Sequence, residues 1–256
     1  MTGGLVIGHA PRRMAAFFSK LRTCVRLSGD EERALQGAMR DVRYLPAETH
    51  IARKDDRPQY VHILLSGWAA RYDLLPDGAR SITGFLLPGD ICDHHVMTIG
   101  RMDHSIVTLT PATVAYVSNG RLDAIARTYP RVAQALWWAT LVDESVLRAW
   151  LVNIGRRGAF EAIGHLLCEL HVRLAKAGLT DNADFELPIT QHEIADAQGL
   201  TTVHVNRMLR RLRKEGFITL ESGRLVINDV ARLEAATGFD PGYLHYGPAG
   251  LLQLIE

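Results

Sequence analysis

The sequence predicts an α+β protein in three parts: a small β-barrel or β-roll, a long helix and a helix-turn-helix. Three observations predict it. Short apolar strands separated by turn residues run from Tyr44 to Val117. A helical run with a broad apolar stripe follows, to about Ile154. Then Leu187–Gly216 reads as two short helices joined by a tight turn. The expected boundaries are 1–130 for the first part, 131–155 for the long helix, 156–230 for the helix-turn-helix head and 231–256 for a C-terminal extension.

Composition sets the outer limits. A chain of 256 residues is too long for a helix-turn-helix alone and comfortable for two domains. With 47% hydrophobic and 22% charged residues it is an ordinary globular sequence. The net charge of +1 makes it no generic polycation, so any affinity for nucleic acid has to come from a local basic face. Cys24, Cys92 and Cys168 are widely spaced, which is no disulfide framework and suits a reducing cytoplasm. No apolar run reaches 18 residues, so no membrane partner is expected. Arg12-Arg13 precedes the short apolar run Met14–Phe18, which Ser19 and Lys20 interrupt. It is too short for a signal-peptide core and reads as a loose N-terminal arm leading into a helix.

The elements then follow in order. Met14 to Val25 spaces its apolar residues for a short amphipathic helix, and Ser28-Gly29-Asp30-Glu31 opens a second with a capping-box pattern. Tyr60–Leu65 is a strand ended by Ser66-Gly67, and Trp68–Leu75 is another. Pro76-Asp77-Gly78 is a hairpin turn, Ser81–Leu87 returns, and Pro88-Gly89-Asp90 closes it. Ser105–Leu109 and Thr113–Val117 complete the strands. Leu122 to Ile154 is helical with a restart at Pro130, where proline is tolerated in a first turn. Its apolar stripe is broader than a seam with one neighbour needs. Leu136, Ala139, Val142, Val146, Leu147, Trp150 and Ile154 are therefore expected at a homodimer interface. Leu136, Asp143, Trp150 and Ala135, Val142, Ala149 both fit as its seam. Gly155–Gly158 reads as a hinge, Phe160 to Leu174 as an amphipathic helix, Ala177–Leu187 as a polar loop and Val230–Ala236 as a last helix. Packing is the default reading of the apolar tail beyond Pro241.

The stretch from Leu187 to Gly216 carries the chemistry. Thr190 and Glu193 form a capping box, Gly199 ends the first helix in the left-handed conformation, and Thr201 caps the second. The second helix turns Val205, Met208, Leu209 and Leu212 to one side and Val203, Arg207, Arg210 and Lys214 to the other. Asn206, His204 and Arg211 flank the polar face, and five of the eight residues from Arg207 to Lys214 are basic. Guanidinium forks suit phosphates and guanines, an asparagine suits adenine, and a valine can touch a thymine methyl. Gln191 and His192 at the start of the first helix, and Thr201 and Thr202 at the start of the second, complete the expected DNA-facing set. Double-stranded DNA is the expected partner. The sequence contains no glycine-rich phosphate loop, nucleophile motif or metalloprotease helix, and Asp103-His104-Ser105 cannot form a triad from consecutive strand residues, so no enzyme is expected.

The pattern Ile189–Ala195 (ITQHEIA), Gly199–Thr201 (GLT) and Val205–Leu212 (VNRMLRRL) resembles the Crp/Fnr superfamily of bacterial transcription regulators. The hairpin Phe217–Leu220 and Arg224–Ile227 around Glu221-Ser222-Gly223 is similar to that family's wing. The succession LLSG, PDG and LLPGD at Leu64–Gly67, Pro76–Gly78 and Leu86–Asp90 resembles its cyclic-nucleotide-binding β-roll. The resemblance implies a sensory β-roll of double-stranded β-helix, cupin-like form, a long dimerisation helix and a winged helix-turn-helix. It further implies a cytoplasmic homodimer on a near-palindromic operator, with RNA polymerase as a further partner if the protein activates. Where the family often has Arg-Glu-Thr at the start of the recognition helix, this chain has Thr202, Val203 and His204, while Arg207 matches a later base-reading arginine. The family's familiar target sequence is therefore not implied.

The sensory cassette departs too. Gly89-Asp90 matches the family's turn, but Asp93-His94 stands where a ribose-binding Gly-Glu pair is expected. The phosphate-binding arginine position falls on Met102, Asp103 or His104, with Arg101 the nearest arginine. Cyclic nucleotides are accordingly not expected to bind. The expected effector pocket comprises Cys92, Asp93, His94, His95, Arg101, Asp103, His104 and Ser105, for an unidentified small molecule if there is one. The alternative is a regulator that responds to haem or another small ligand through Cys92, His94 and His95. His95 matches the histidine of the family's haem-containing carbon-monoxide sensors, but Cys92 lies one residue too early for their cysteine. Neither cofactor nor metal is expected, because adjacent side chains seldom converge at about 2.0–2.3 Å. Three scattered cysteines do not make an iron–sulfur ligand set.

Overall fold

Two helices open the described chain, α1 (Ala15–Cys24) and α2 (Gly29–Ala38), the second held by a reciprocal capping box between Ser28 and Glu31. The structure is a computed structural model that describes residues 14–246. The expected N-terminal arm at Arg12-Arg13 and the end of the apolar tail lie outside those residues.

Seven antiparallel strands follow: β1 (Asp41–Leu45), β2 (His50–Ala52), β3 (Tyr60–Ser66), β4 (Ala69–Leu74), β5 (Arg80–Leu86), β6 (Ser105–Thr108) and β7 (Ala112–Ser118). They form two sheets, β1-β7-β3 and β2-β6-β4-β5. Val61, Ile63 and Leu65 of β3 alternate inward onto α1 and α2, and Leu64, Ala69, Ile106 and Val114 fill the space on the other side of the strand. A one-turn helix, α3 (Val96–Ile99), interrupts the path from β5 to β6, and Gly100 ends it with φ +77°. Among the strands, β2 lies in the region expected to be extended and β1 begins three residues before it, and no spacing of apolar residues marks either one.

Helix α4 (Asn119–Thr128) leads to the long helix α5 (Pro130–Arg156), which starts with Pro130 in its first turn as the sequence predicts. The break after it is shorter than the expected hinge. Gly155 and Arg156 are still helical, and only Arg157 and Gly158 separate α5 from α6 (Ala159–Lys176). A three-stranded sheet, β8-β10-β9, then frames two short helices: β8 (Asp184–Glu186), α7 (Gln191–Gln198), α8 (Thr202–Lys214), β9 (Ile218–Glu221) and β10 (Arg224–Ile227). Strand β8 falls inside the stretch read as a polar loop. With three residues it is too short to show alternation. Helix α9 (Val230–Thr237) packs on α6 and completes the head.

The long helix is apolar on two sides, and the division between them corrects the expected interface. Leu136 packs into the α1–α2 side of the roll, while Val142, Val146 and Trp150 join the core shared with the head. These four, at most 9% exposed, are covered by their own chain, and Ala139 is half-buried against the same core. Neither expected seam faces outward. The exposed apolar ridge is Trp137, Leu141, Leu147, Leu151, Val152 and Ile154, so only Leu147 and Ile154 of the expected interface residues lie on it. The two apolar faces were visible in the sequence. Which one the protomer uses for itself depends on the roll and head packing against it.

Roll and head are joined by a buried charged cluster. Asp90 follows Gly89, whose φ is +91° and whose missing Cβ would sit 2.7–2.8 Å from the Ala16–Phe17 backbone, so the turn tolerates only glycine. Asp90 accepts from Lys20 on α1 at 2.6 Å and from Arg173 on α6 at 2.9 Å. Arg173 also donates to Glu169 at 3.0 Å and to the Phe85 carbonyl at 2.7 Å. Glu169 in turn accepts from the Trp150 indole at 2.9 Å and from the Tyr243 hydroxyl at 2.8 Å. Burial works against all these charges, yet Asp90 is held below the ordinary carboxylate range by Lys20 and Arg173. A cavity of about 40 Å³ beside the cluster has room for water but not for a nucleotide.

Candidate nucleic-acid interface and effector site

The two helices of the head form because their ends are specified locally. The Thr190 side chain accepts from the Glu193 N–H at 3.2 Å, and Glu193 returns a bond from the Thr190 N–H at 2.6 Å. Gly199 adopts φ +62°, which turns the chain from α7 into α8. Thr201 then accepts from the His204 N–H at 3.2 Å and starts α8. Ile194 and Ala195 of α7, with Val205, Leu209 and Leu212 of α8, are buried in the head core.

That burial leaves one face of α8 in solvent. Val203 is 81% exposed, and Thr202, Arg207, Arg210 and Lys214 are exposed beside it. Thr201 and His192 are exposed at the helix starts, and His204 is half-buried. Two expected DNA-facing residues are engaged elsewhere. Asn206 donates to the Gln191 side chain at 2.8 Å, which ties the two helices together. Arg211 donates to Glu215 at 2.7 Å and lies 4.2 Å over the Phe160 ring, so it packs on the body of the head. The wing, β9–β10, turns through Ser222 and Gly223, both at positive φ, and projects beside α8. Four basic side chains, Arg207, Arg210, Arg213 and Lys214, thus crowd the exposed side of a single helix. They give it a local positive field that the whole-chain charge conceals.

The expected effector pocket separates into parts. Cys92 is fully buried among Ile51, Leu64 and Ile106, and burial pushes its thiol well above the ordinary range. It does not converge with the histidines, which corrects its expected place beside them. Asp93 is buried as well. It accepts from the His62 backbone N–H at 2.8 Å and pairs with the His62 ring, so it braces β3 and does not face a ligand. Arg101 is exposed and paired with Asp55, while Met102 is buried. Ser105 accepts from the Lys54 N–H at 3.0 Å. His94, His95, Asp103 and His104 remain together on the loop around α3. Burial lowers the pKa of all three histidines. Burial opposes the charge of Asp103, but its bond from His104 together with the His104 and His95 charges and a backbone bond holds the carboxyl below its usual value. His94 Nε2 lies 2.5 Å from the Thr140 hydroxyl of α5, linking this loop to the long helix.

The sequence reading missed Arg71. It projects from β4 into the roll, donates to the carbonyls of Ile91 and Cys92 at 3.0 and 3.2 Å, and pairs with Asp143 of α5 at 2.8 Å. Burial acts against its charge, but Asp143 keeps its pKa above the ordinary value. Its position between Ala70 and Tyr72 on an alternating strand was the available signal.

Residues 161–236 match the family model for the Crp-like helix-turn-helix domain, and residues 42–129 match that for the cyclic nucleotide-binding domain. The nitrogen fixation regulation protein FixK of Bradyrhizobium diazoefficiens is 30% identical over 83% of this chain and 88% of its own. The chain belongs to the Crp/Fnr family of transcription regulators. The transcriptional activator protein FnrL of Cereibacter sphaeroides is 29% identical over 85% of this chain and 88% of its own. The solved structure of FixK2 from Bradyrhizobium japonicum superposes with a TM-score of 0.69 at 25% identity, covering 76% of this chain and 96% of that one. Crp/Fnr regulators bind DNA through their helix-turn-helix, and in this chain α7 and α8 lie within the matched domain. Among the described residues, no helix is long and apolar enough to cross a membrane.

Proposed function

We propose that this Crp/Fnr regulator works as a homodimer that reads a near-palindromic operator, two copies of α8 entering successive major grooves about 34 Å apart. The observation that carries this reading is the exposed face of α8, where Val203, Arg207, Arg210 and Lys214 stand free of intramolecular partners while the opposite face is buried. Thr202, Val203 and His204 at the start of that helix set a base preference different from that of family members with Arg-Glu-Thr there. Dimerisation uses the exposed ridge of α5, from Trp137 to Ile154, with the Glu144–Arg148 pair in its midst. An apolar strip of that extent is the kind that a partner covers.

The β-roll does not bind cyclic nucleotides in this reading. The phosphate position offers buried Met102 and the acidic Asp103, and Arg101 is committed to Asp55 at the surface. The ribose position is taken by His94, which offers no carboxylate and bonds the Thr140 hydroxyl of α5. A small effector, if one is sensed, acts at the loop carrying His94 and biases α5 through Thr140. The similarity to named activators favours activation, with RNA polymerase as the further partner, in the cytoplasm. Selection of bound fragments from random duplex DNA, followed by footprinting, tests the proposal. A protected site with two related half-sites one helical turn apart is expected, and protection with no sequence preference would overturn it.

A further inference from the structure

His95, Asp103 and His104 come together on the loop between β5 and β6. One nitrogen or oxygen atom from each lies within 4.8 Å of the other two. Sequence spacing hid this grouping. His95 precedes α3, whereas Asp103 and His104 precede β6, and the left-handed turn at Gly100 reverses the chain between them. The His95 and His104 rings lie 5.3 Å apart, tilted by 31°.

The hydrogen bonding points to a missing ligand. His104 Nδ1 lies 2.6 Å from Asp103 Oδ1. A neutral imidazole that donates from Nδ1 carries its lone pair on Nε2. That Nε2 is hidden from solvent and has no partner. His95 Nε2 is hidden and unpartnered as well, 3.7 Å from Asp103 Oδ1 and beyond hydrogen-bond reach. Hidden polar atoms without partners carry an uncompensated desolvation cost. Two of them, on neighbouring rings that both lie beside the Asp103 carboxylate, can be satisfied together by a cation. Arg71 lies near enough to repel a cation weakly, but it is already neutralised by Asp143.

We propose that His95, Asp103 and His104 bind one divalent transition-metal cation. Two imidazoles and a carboxylate are the donor set of borderline cations such as zinc, and three protein ligands leave a position open for water or a small ligand. Bonds of about 2.0–2.2 Å in a tetrahedral site bring the donor atoms to roughly 3.3–3.5 Å of one another. His95 Nε2 and Asp103 Oδ1, 3.7 Å apart, are close to that spacing, and the Asp103 side chain, which is 79% exposed, is free to exchange its His104 bond for the cation.

The test uses full-length, untagged, chelator-stripped protein, and its readout involves no DNA, so it stands or falls separately from the proposed operator binding. Zinc(II) titrated by calorimetry is expected to bind one equivalent per chain at micromolar affinity or better. His95→Ala and His104→Ala should each weaken binding at least about tenfold, and Asp103→Asn should weaken it too. His245→Asn, exposed and outside the cluster, should leave it unchanged. No saturable binding at micromolar zinc, or undiminished binding in both His95→Ala and His104→Ala, overturns the proposal. Should those variants fail to fold, cobalt(II) added to the wild type decides the matter. Paramagnetic shifts of the His95 and His104 imidazole protons are expected, and shifts confined to other histidines overturn it.

Discussion

Arg207 and Arg211 sit four residues apart on one helix, and their surroundings separate their roles. Arg207 is exposed and unpaired, so Arg207→Ala should cost about 1–3 kcal/mol per half-site and relax specificity at one base pair. Competition of operator against random duplex checks this, and equal loss on both would assign Arg207 to the phosphates. Arg211 is held by Glu215 and Phe160. Arg211→Ala should therefore lower stability by about 0.5–1 kcal/mol and leave the base preference unchanged, as thermal melts and the same competition would show. His165 offers a pH test. Its Nδ1 accepts from the Asn153 amide at 3.1 Å, and burial, with the Arg157 charge, lowers its pKa to about 4. Unfolded, the ring titrates near 6.5, so between those values the unfolded chain holds the extra proton. The contribution is fully present above about pH 6.5 and is lost as pH falls toward 4, on the order of 2–3 kcal/mol in all. His165→Gln should flatten that part of a denaturation-against-pH curve. An unchanged slope would show that other groups set it.

At the scale of elements, the long helix presents the exposed apolar ridge. If the ridge of α5 is the dimer seam, Leu151→Asp replaces a 74% exposed apolar side chain with a charge that would have to be buried on association. The wild type should be dimeric at micromolar concentration by light scattering and this variant monomeric. A monomeric wild type would sink the seam and the paired-groove arrangement together. Trp150→Asp serves as the contrast: it lies in the protomer's own core and should unfold the chain rather than dissociate it. The helices were legible wherever their ends were specified by neighbours in sequence. Thr190 with Glu193, Gly199 and Thr201 mark α7 and α8 without any tertiary information. Strands β1, β2 and β8 were not legible individually, because β2 and β8 have three residues each and β1 is exposed along nearly its whole length, with no buried face to mark it. The inward side of α5 was hidden because both its sides are apolar. The histidine cluster and Arg71 were hidden because each depends on chain segments that meet only after the roll closes.

For the whole molecule, the β-roll matches the cyclic nucleotide-binding domain but lacks the contacts expected of it. Cyclic AMP and cyclic GMP should not bind at physiological concentration. Without the phosphate arginine and the ribose carboxylate, two charge-assisted bonds of about 1.5–3 kcal/mol each are missing. The loss is roughly a hundred-fold to ten-thousand-fold in affinity. Calorimetry at pH 7 checks it, and micromolar binding of either nucleotide would mean that Arg101 leaves Asp55 to take the missing role.

The Asp90 cluster has a mechanical consequence. A regulator in which sensor and reader hang on a flexible tether melts in two steps, each part on its own. Here Lys20, Asp90, Arg173 and Glu169 bond across the junction, and the apolar core runs unbroken from Trp68 and Phe85 through Trp150 to Phe160. Neither part can come undone without stranding charge that the other neutralises, which costs about 3–5 kcal/mol when one partner is removed. The chain should thus show a single calorimetric transition with matching van't Hoff and calorimetric enthalpies. Arg173→Met should divide it into two. On that outcome the roll and the head would melt as one cooperative body, and a change begun in the first would be felt at once in the second.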